Sequence, residues 1–264
     1  MPRALVAVVA LALMFADARA AELTRILVGF PPGQATDLIA RILAERLAPM
    51  LGETVIVENR VGQGGSIALA ALAQAPSDGH TMVLAPLASM VVNPHLYKSV
   101  GYDIHKDFAP VALIADLPLL MVVNPSLPIT NVAELIVYAK ANPDKLSNPS
   151  SGNGTLSHLG MEVFKQRAGV SILHVPYRGS PPAMTDLMTG IVSVAMDTVA
   201  VTEPFIRAGK MRLIASAYSK RVPPSRIRPR SPSRAFRAWT SRPGSALSCQ
   251  RRRHRRALTG SARP

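Results

Sequence analysis

From residue 25 to residue 220, short β-branched runs alternate with stretches whose apolar residues recur at three- and four-residue spacing. A chain patterned in this way buries strands beneath covering helices, so the fold class is α/β with a largely parallel sheet. A buried strand is expected at 26–30. Beyond a Pro-Gly loop, Leu38, Ile39, Ile42, Leu43 and Leu47 share one helical face, Arg41, Glu45 and Arg46 take the other, and Gly52 provides a stop. Strands at 54–57 and 81–85 and a helix at 66–75 complete a β-α-β-α-β unit by residue 86. A second series predicts strands at 111–115, 119–123, 146–147, 172–175, 192–196 and 213–217, with helices at 155–168, 182–188 and 201–208. Asn131, with Glu134 three residues on, opens a further helix that Asn142-Pro143 closes. Two series imply two lobes, residues 21–104 and 105–220. No repeat of 20 to 50 residues is present, which excludes a solenoid.

Of the 264 residues 48% are apolar, enough for a substantial core. The formal net charge is +14, yet residues 1–220 hold 17 basic and 16 acidic side chains, while residues 221–264 hold 13 basic and none acidic. The body is therefore neutral, and the basic excess is a property of the tail. At the other end, Arg3, the twelve-residue apolar run Ala4 to Phe15, and Ala18-Arg19-Ala20 have the layout of a secretory signal. Residues 1–20 are expected to be that signal, with cleavage after Ala20, because the apolar run is too short to span a bilayer. The only cysteine is Cys249, in the tail, so the body has no disulfide, thiolate metal site or cysteine nucleophile. A periplasmic location is the expectation.

Two segments share one design. In the first, a strand leads through Pro31-Pro32-Gly33-Gln34-Ala35 into a helix that starts at Thr36-Asp37; in the second, Ser150-Ser151-Gly152-Asn153-Gly154 leads into a helix from Thr155 that carries Ser157 and His158. Free N–H groups and the positive dipole end at such junctions receive anions, and glycines admit close approach. One such loop per lobe fits a cleft that grips a carboxylate from both sides. Neither loop ends in the Lys-Ser/Thr of a P-loop, and Gly62-Gln63-Gly64-Gly65 is not G-x-G-x-x-G, which argues against nucleotide binding. Asp37 either faces a ligand or serves its own helix dipole. Ser157 and His158 are adjacent on a helix and point about 100° apart, so they form no catalytic dyad. His158 is left with packing or with orienting the glycine loop. Asp197 ends an apolar strand, where open α/β sheets bind ligands; capping the next helix is the alternative.

In order along the chain come Val28-Gly29-Phe30-Pro31-Pro32-Gly33 with Ala35-Thr36-Asp37, Val57-Glu58-Asn59-Arg60 with Gly62 and Gly64-Gly65, Asp78-Gly79, and Asn93-Pro94 with Leu96-Tyr97. Then follow Asp107-Phe108-Ala109-Pro110-Val111, Asn124-Pro125-Ser126-Leu127-Pro128, Ser151-Gly152-Asn153-Gly154 with His158-Leu159, and Val175-Pro176-Tyr177 with Gly179. From about Arg25 to Arg221 this resembles the receptor family of tripartite tricarboxylate transporters, the Bug-type extracytoplasmic solute-binding proteins. The resemblance implies a two-lobed periplasmic binding protein of type II-like α/β fold, with no enzymatic activity, no catalytic residue, no metal and no cofactor. Its implied partners are a small organic acid (a di- or tricarboxylate, an amino acid or an aromatic acid) and the membrane permease subunits, with no nucleic acid, and the receptor is expected to be a monomer. The implied carboxylate site comprises Gly33, Ala35, Thr36 and Asp37 from one loop and Ser151, Gly152, Asn153, Gly154, Thr155 and His158 from the other. Ser89, Tyr177 and Asp197 are implied at the ligand's distal end. Gln34 stands where the family usually has a second glycine, and Asn148-Pro149 also departs from the family's usual residues.

The resemblance stops at Arg221, where the family continues for roughly another hundred residues that complete the first lobe's sheet. The first lobe is thus expected to be incomplete, and residues 221–264 to be an aberrant, disordered basic tail. Read one base out of frame, the stretch from Pro232 to Thr240 can encode Ala-Gly-Phe-Pro-Gly-Leu-Asp, from Ser233 onward, the family's usual continuation, which points to a frameshift near codon 221. Two other functional readings follow from the tail: an inert receptor fragment, or an exported nucleic-acid or membrane-surface binder centred on Arg251-Arg252-Arg253-His254-Arg255-Arg256.

Overall fold

β1 (Leu23–Val28) buries Ile26, Leu27 and Val28 in succession, as a strand covered on both faces must. A computed structural model describes residues 23–217 and the backbone of a strand at 245–251; the expected signal at 1–20 and the out-of-frame stretch at 232–240 lie outside the described residues. β1 pairs in parallel with β2 (Thr54–Asn59) and β3 (Thr81–Pro86). α1 (Ala35–Leu51) and α2 (Ser66–Gln74) make the two crossovers. Ala40 and Ala44 of α1 pack with Ile26, Val28 and Leu84 on one face. Ala68, Leu69 and Leu72 of α2 pack with Leu27, Val83 and Ala85 on the other. Gly52, at φ 69°, closes α1 as expected. Two short helices that the pattern does not predict, α3 (Leu87–Val91) and α4 (Asn93–Leu96), follow β3.

Two expectations are corrected in the first sheet, in which β1 lies between β2 and β3 and two further strands follow β3. The sequence pattern groups the 111–115 run with the second lobe, but β4 (Phe108–Asp116) belongs to the first sheet. The tail is expected to be disordered throughout, but Ser245–Arg251 forms β10, antiparallel to β3 on one side and to β4 on the other. The reason is backbone pairing, which composition does not register. β3 and β4 face each other across a one-strand gap, and an extended segment placed there satisfies both rows of N–H and C=O groups.

Leu117-Pro118 carries the chain into a second sheet. There β5 (Leu119–Val123), buried at all five positions, lies between β8 (Val194–Thr198) and β9 (Arg212–Ala217). It runs antiparallel to both, which corrects the expectation of a largely parallel arrangement. β5 leaves the boundary between the sheets, whereas β8 returns to it, so that Leu119 pairs with Thr198. β6 (Ser147–Ser150) and β7 (Leu173–Pro176) form a parallel pair. It is joined to the residue before β8 by Ser193 N–H donating to the Ser147 carbonyl at 3.0 Å.

α5 (Val132–Ala141) and α6 (Leu156–Ala168) cover one face of this half, with Leu135, Met161 and Phe164 against Met121, Val123 and Met196. α7 (Ser180–Thr189) and α8 (Val199–Arg207) cover the other, with Met184 and Leu187 against Leu120, Val122 and Ala195. Asn131 caps α5 as expected, accepting the Glu134 N–H at 3.0 Å, while Glu134 reaches back to the Thr130 N–H at 2.6 Å. Among the described residues no helix is long and apolar enough to cross a membrane. The C-terminal ends of β1, β3, β6, β7 and β8 run directly into α1, α3, α6, α7 and α8, at the boundary where a ligand site in an α/β fold is built.

Candidate functional site

A cavity of about 50 Å³ lies where the two halves meet. Ala35 and Thr36 reach it from α1, Ser89 from α3, Ser151, Thr155 and Ser157 from the start of α6, and Asp197 and Thr198 from the end of β8. Phe30, Leu117 and Leu119 supply apolar wall. The lining carries hydroxyls and helix N-termini and no Lys or Arg, so an anion here is met by local dipoles. The Thr36 hydroxyl is buried and has no hydrogen-bond partner, an exception that calls for an explanation.

The opposing hydroxyls are locked in place. Ser157 Oγ accepts the Ser151 N–H at 3.0 Å and lies 2.9 Å from Ser151 Oγ and 3.0 Å from Thr155 Oγ1, and Thr155 Oγ1 donates to the Gly152 carbonyl at 2.6 Å. Ser157 is thus the organiser of the second loop. It does not bond to His158, as the helical geometry predicts. His158 instead holds the loop from outside, its Nδ1 accepting the Gly154 N–H at 3.2 Å. Its ring stacks on His174 with centroids 4.0 Å apart, and His174 Nε2 lies 2.7 Å from Ser150 Oγ. Burial pulls the His158 pKa down, with Glu162 opposing and Lys165 assisting. Burial, then the neighbouring His158, draws His174 down to about 4.

His158, Glu162 and His174 offer ligand-type atoms within 4.8 Å of one another. Nδ1 acceptance from Gly154 puts the neutral ring's proton on Nε2 of His158, and the Lys165 ammonium sits 2.5 Å from Glu162. Those bonds make the trio a support for the loop.

Asp37 is buried, but its carboxylate is consumed by the first loop. It accepts from Gly33 N–H at 2.9 Å, from Arg41 Nε and Nη2 at 3.0 Å each, and from Asn59 Nδ2 at 2.9 Å. Burial raises its pKa, and these donors with the Arg41 charge outweigh that and hold it below the usual range. Asp197 is the opposite case. It accepts from Ser180 Oγ at 2.6 Å and Thr198 N–H at 2.7 Å, yet burial dominates and pushes its pKa up.

Of the residues expected at the site, Ala35, Thr36, Ser89, Ser151, Thr155 and Asp197 therefore meet at one cavity. Gly152, Asn153 and Tyr177 line a second, wider space of about 540 Å³ between the 61–64 loop and the 176–179 turn, where Arg178 is the only charged residue. The Tyr177 hydroxyl is turned to Asp186 at 2.5 Å; burial, then Asp186, pushes its pKa up to about 12. Gly154 serves the contact between the halves: at φ 77°, a Cβ there would come within 2.7 Å of Leu96 and 2.9 Å of Asn93 Oδ1. Gly33, Asp37 and His158 position the loops from behind.

Sequence reasoning passed over Gln34, Ser157 and Thr198 as lining residues. Ser157 had a signal, a second hydroxyl within the first turn of α6. Gln34 was visible only as a departure from glycine.

Residues 39–225 match the family model of the tripartite tricarboxylate transporter family receptor. The protein BugT of Bordetella pertussis is 37% identical over 207 residues, covering 78% of this chain and 64% of BugT. The chain spans about 58–64% of the length of the curated relatives it matches first. The structure of R. palustris Rpa4515 with adipate superposes with a TM-score of 0.81 at 35% identity, over 89% of this chain and 78% of that one. MatC (Rpa3494) from Rhodopseudomonas palustris, with bound malate, superposes with a TM-score of 0.79 at 28% identity, over 87% of this chain and 78% of that one.

Proposed function

The chain belongs to the tripartite tricarboxylate transporter receptor family, and from that premise we propose that it is a monomeric periplasmic receptor, without enzymatic activity, that closes two lobes over a small carboxylate and hands it to membrane permease subunits. The observation that carries the reading is the unpartnered, buried hydroxyl of Thr36, a residue that lines a cavity shared with Ser151, Thr155 and the N-termini of α1, α6 and α8. A carboxylate oxygen there takes the Thr36 hydroxyl and helix N–H groups as donors, with the opposing loop closing over its other oxygen. Asp197, whose pKa burial pushes up, lines the same cavity with its oxygens held by Ser180 and Thr198. The lobes move as bodies on the Leu117-Pro118 link, and the ligand stabilises the closed form through contacts it makes only there.

Adipate and malate, held by the two R. palustris proteins, support small dicarboxylates as the acids to try first. Thermal-shift and calorimetric titration of the full chain with both acids tests the reading, since binding to the native state raises its stability. Thr36→Val keeps the side-chain shape and removes the donor. It is expected to weaken binding by about tenfold or more, the worth of a hydrogen bond to a charged group. Bulky residues at Thr36, Ser151 or Thr155 are expected to abolish it. Unchanged affinity in all of these variants refutes the site; no shift with any acid of the panel refutes the function.

A further inference from the structure

Gln34 crosses the cleft. It lies in the loop between β1 and α1, and its side-chain Oε1 accepts the backbone N–H of Ser180, 146 residues away at the start of α7, at 3.1 Å. The bond is buried, and Gln34 is only 8% exposed. α7 opens Ser180-Pro181-Pro182, and prolines carry no N–H, so this terminus has few groups to offer an anion. Ser180 is committed: its N–H goes to Gln34 and its hydroxyl to Asp197 Oδ2 at 2.6 Å. One hydrogen-bonded run thus spans the cleft from Gln34 through Ser180 to Asp197, and both of its ends line the 50 Å³ cavity beside Thr36.

The backbone is shaped for this approach. At Gly179, φ 115°, an added Cβ would fall 2.3 Å from Pro31 Cγ and 3.0 Å from Gln34 Oε1, so only glycine lets the turn before α7 meet the Gln34 loop.

We propose that Gln34 is a specificity-determining residue: its carboxamide, held across the cleft by Ser180, is the end stop that limits how long an acid the cavity accepts. This rests on the carboxylate-receptor reading above. The Gln34 oxygen occupies the place at the α7 N-terminus where the far oxygen of a longer diacid would be received. Removing the side chain lengthens the cavity and returns the Ser180 N–H to the ligand.

The test is calorimetric titration of the full chain with the unbranched diacids from succinate to suberate, comparing the native protein with Gln34→Ala and Gln34→Glu. The native protein is expected to bind the shorter members best. Gln34→Ala is expected to move the preference toward longer members, with the long-to-short affinity ratio rising about tenfold or more, as for the gain of one methylene's room or more. Gln34→Glu keeps the length and the acceptor oxygen, so it retains the native order at lower affinity for every acid. A ligand-free measurement stands beside this one: the Ser180 amide is protected from hydrogen exchange in the native protein and in Gln34→Glu, and unprotected in Gln34→Ala. Intact binding with an unchanged length preference in Gln34→Ala, or a Ser180 amide that exchanges equally in all three proteins, overturns the proposal and leaves the receptor reading standing. Binding of no diacid by any of them removes the receptor reading and the proposal together.

Discussion

Asn59 and Asp37 are joined at 2.9 Å, Asn59 Nδ2 donating to Asp37 Oδ1, and the same amide group donates to the Phe30 carbonyl at 2.9 Å. The end of β2 is thereby tied to the loop after β1 and to the first turn of α1, whose Thr36 faces the cavity. Asp37→Asn replaces a charged acceptor of four hydrogen bonds by an amide that opposes the Asn59 and Arg41 donors. The expected cost is about 2–3 kcal/mol at neutral pH, measured by urea unfolding. The Asp37 pKa is depressed in the folded state, so its stabilisation is complete above the unfolded value of about 3.9 and is lost as pH falls through the lower folded value. The native protein should therefore lose stability below about pH 4, and Asp37→Asn should lose less over that range; parallel curves would deny Asp37 this role.

The stacked pair His158 and His174 gives a second pH dependence, of opposite chemistry and the same direction. Both rings are kept neutral by burial, and His174 titrates at about 4 against about 6.5 when unfolded. Between these values the unfolded chain binds more protons, so stability rises with pH across that window and is level above it. Protonated His158 can no longer accept the Gly154 N–H, so its protonation, which burial also displaces to lower pH, loosens the glycine loop. Melting temperatures are expected to fall as pH goes from about 6.5 to about 4. His174→Gln, which keeps a polar partner for Ser150, should flatten the curve; a slope unchanged in that variant assigns the window to other groups.

The site's hydroxyl residues were legible because Thr36, Ser151 and Thr155 stand at loop-to-helix junctions, and a helix N-terminus is a local feature that a short stretch of sequence specifies. The strand order was not. β4 and β5 are alike as apolar runs, and only the gap beside β3 decides which sheet takes Phe108–Asp116. Asp37 and Asp197 each stood as an acid that either faces a ligand or serves a helix, Asp197 the more suggestive of the two. Their difference lies in surroundings that only the fold assembles: Asn59 and Gly33 join Arg41 as donors to Asp37, whereas burial outweighs the Ser180 donor at Asp197. The tail's charge concealed a segment whose backbone completes a sheet, because pairing uses groups that every residue except proline carries in full.

Asn148, fully buried on β6, has neither side-chain polar atom hydrogen-bonded. A buried amide in that state costs its desolvation with no return, about 1–3 kcal/mol. Asn148→Leu has similar bulk and no polar atom, so it is expected to raise unfolding stability by about 1 kcal/mol or more while leaving ligand affinity unchanged, since the residue lines neither cavity. A loss of stability in this variant would show that the amide is satisfied in solution.

β10 offers the sharpest test of the tail. Ser248 pairs with Leu84 of β3 on one side and with Ala112 of β4 on the other, so it occupies a central-strand position. Proline there removes the single N–H that Ser248 offers to one neighbouring strand and fixes φ within a paired segment. Ser248→Pro is expected to destabilise the first sheet by about 2–4 kcal/mol, whereas Ser248→Ala, which keeps the N–H, should be nearly neutral. Exposed β3 and β4 edges invite pairing between molecules, so the proline variant should also aggregate at concentrations where the native chain stays dispersed. Unfolding curves and light scattering on the two variants decide it. If Ser248→Pro melts with the native protein, Ser245–Arg251 does not hold the sheet together, and β3 and β4 are stable as free edges.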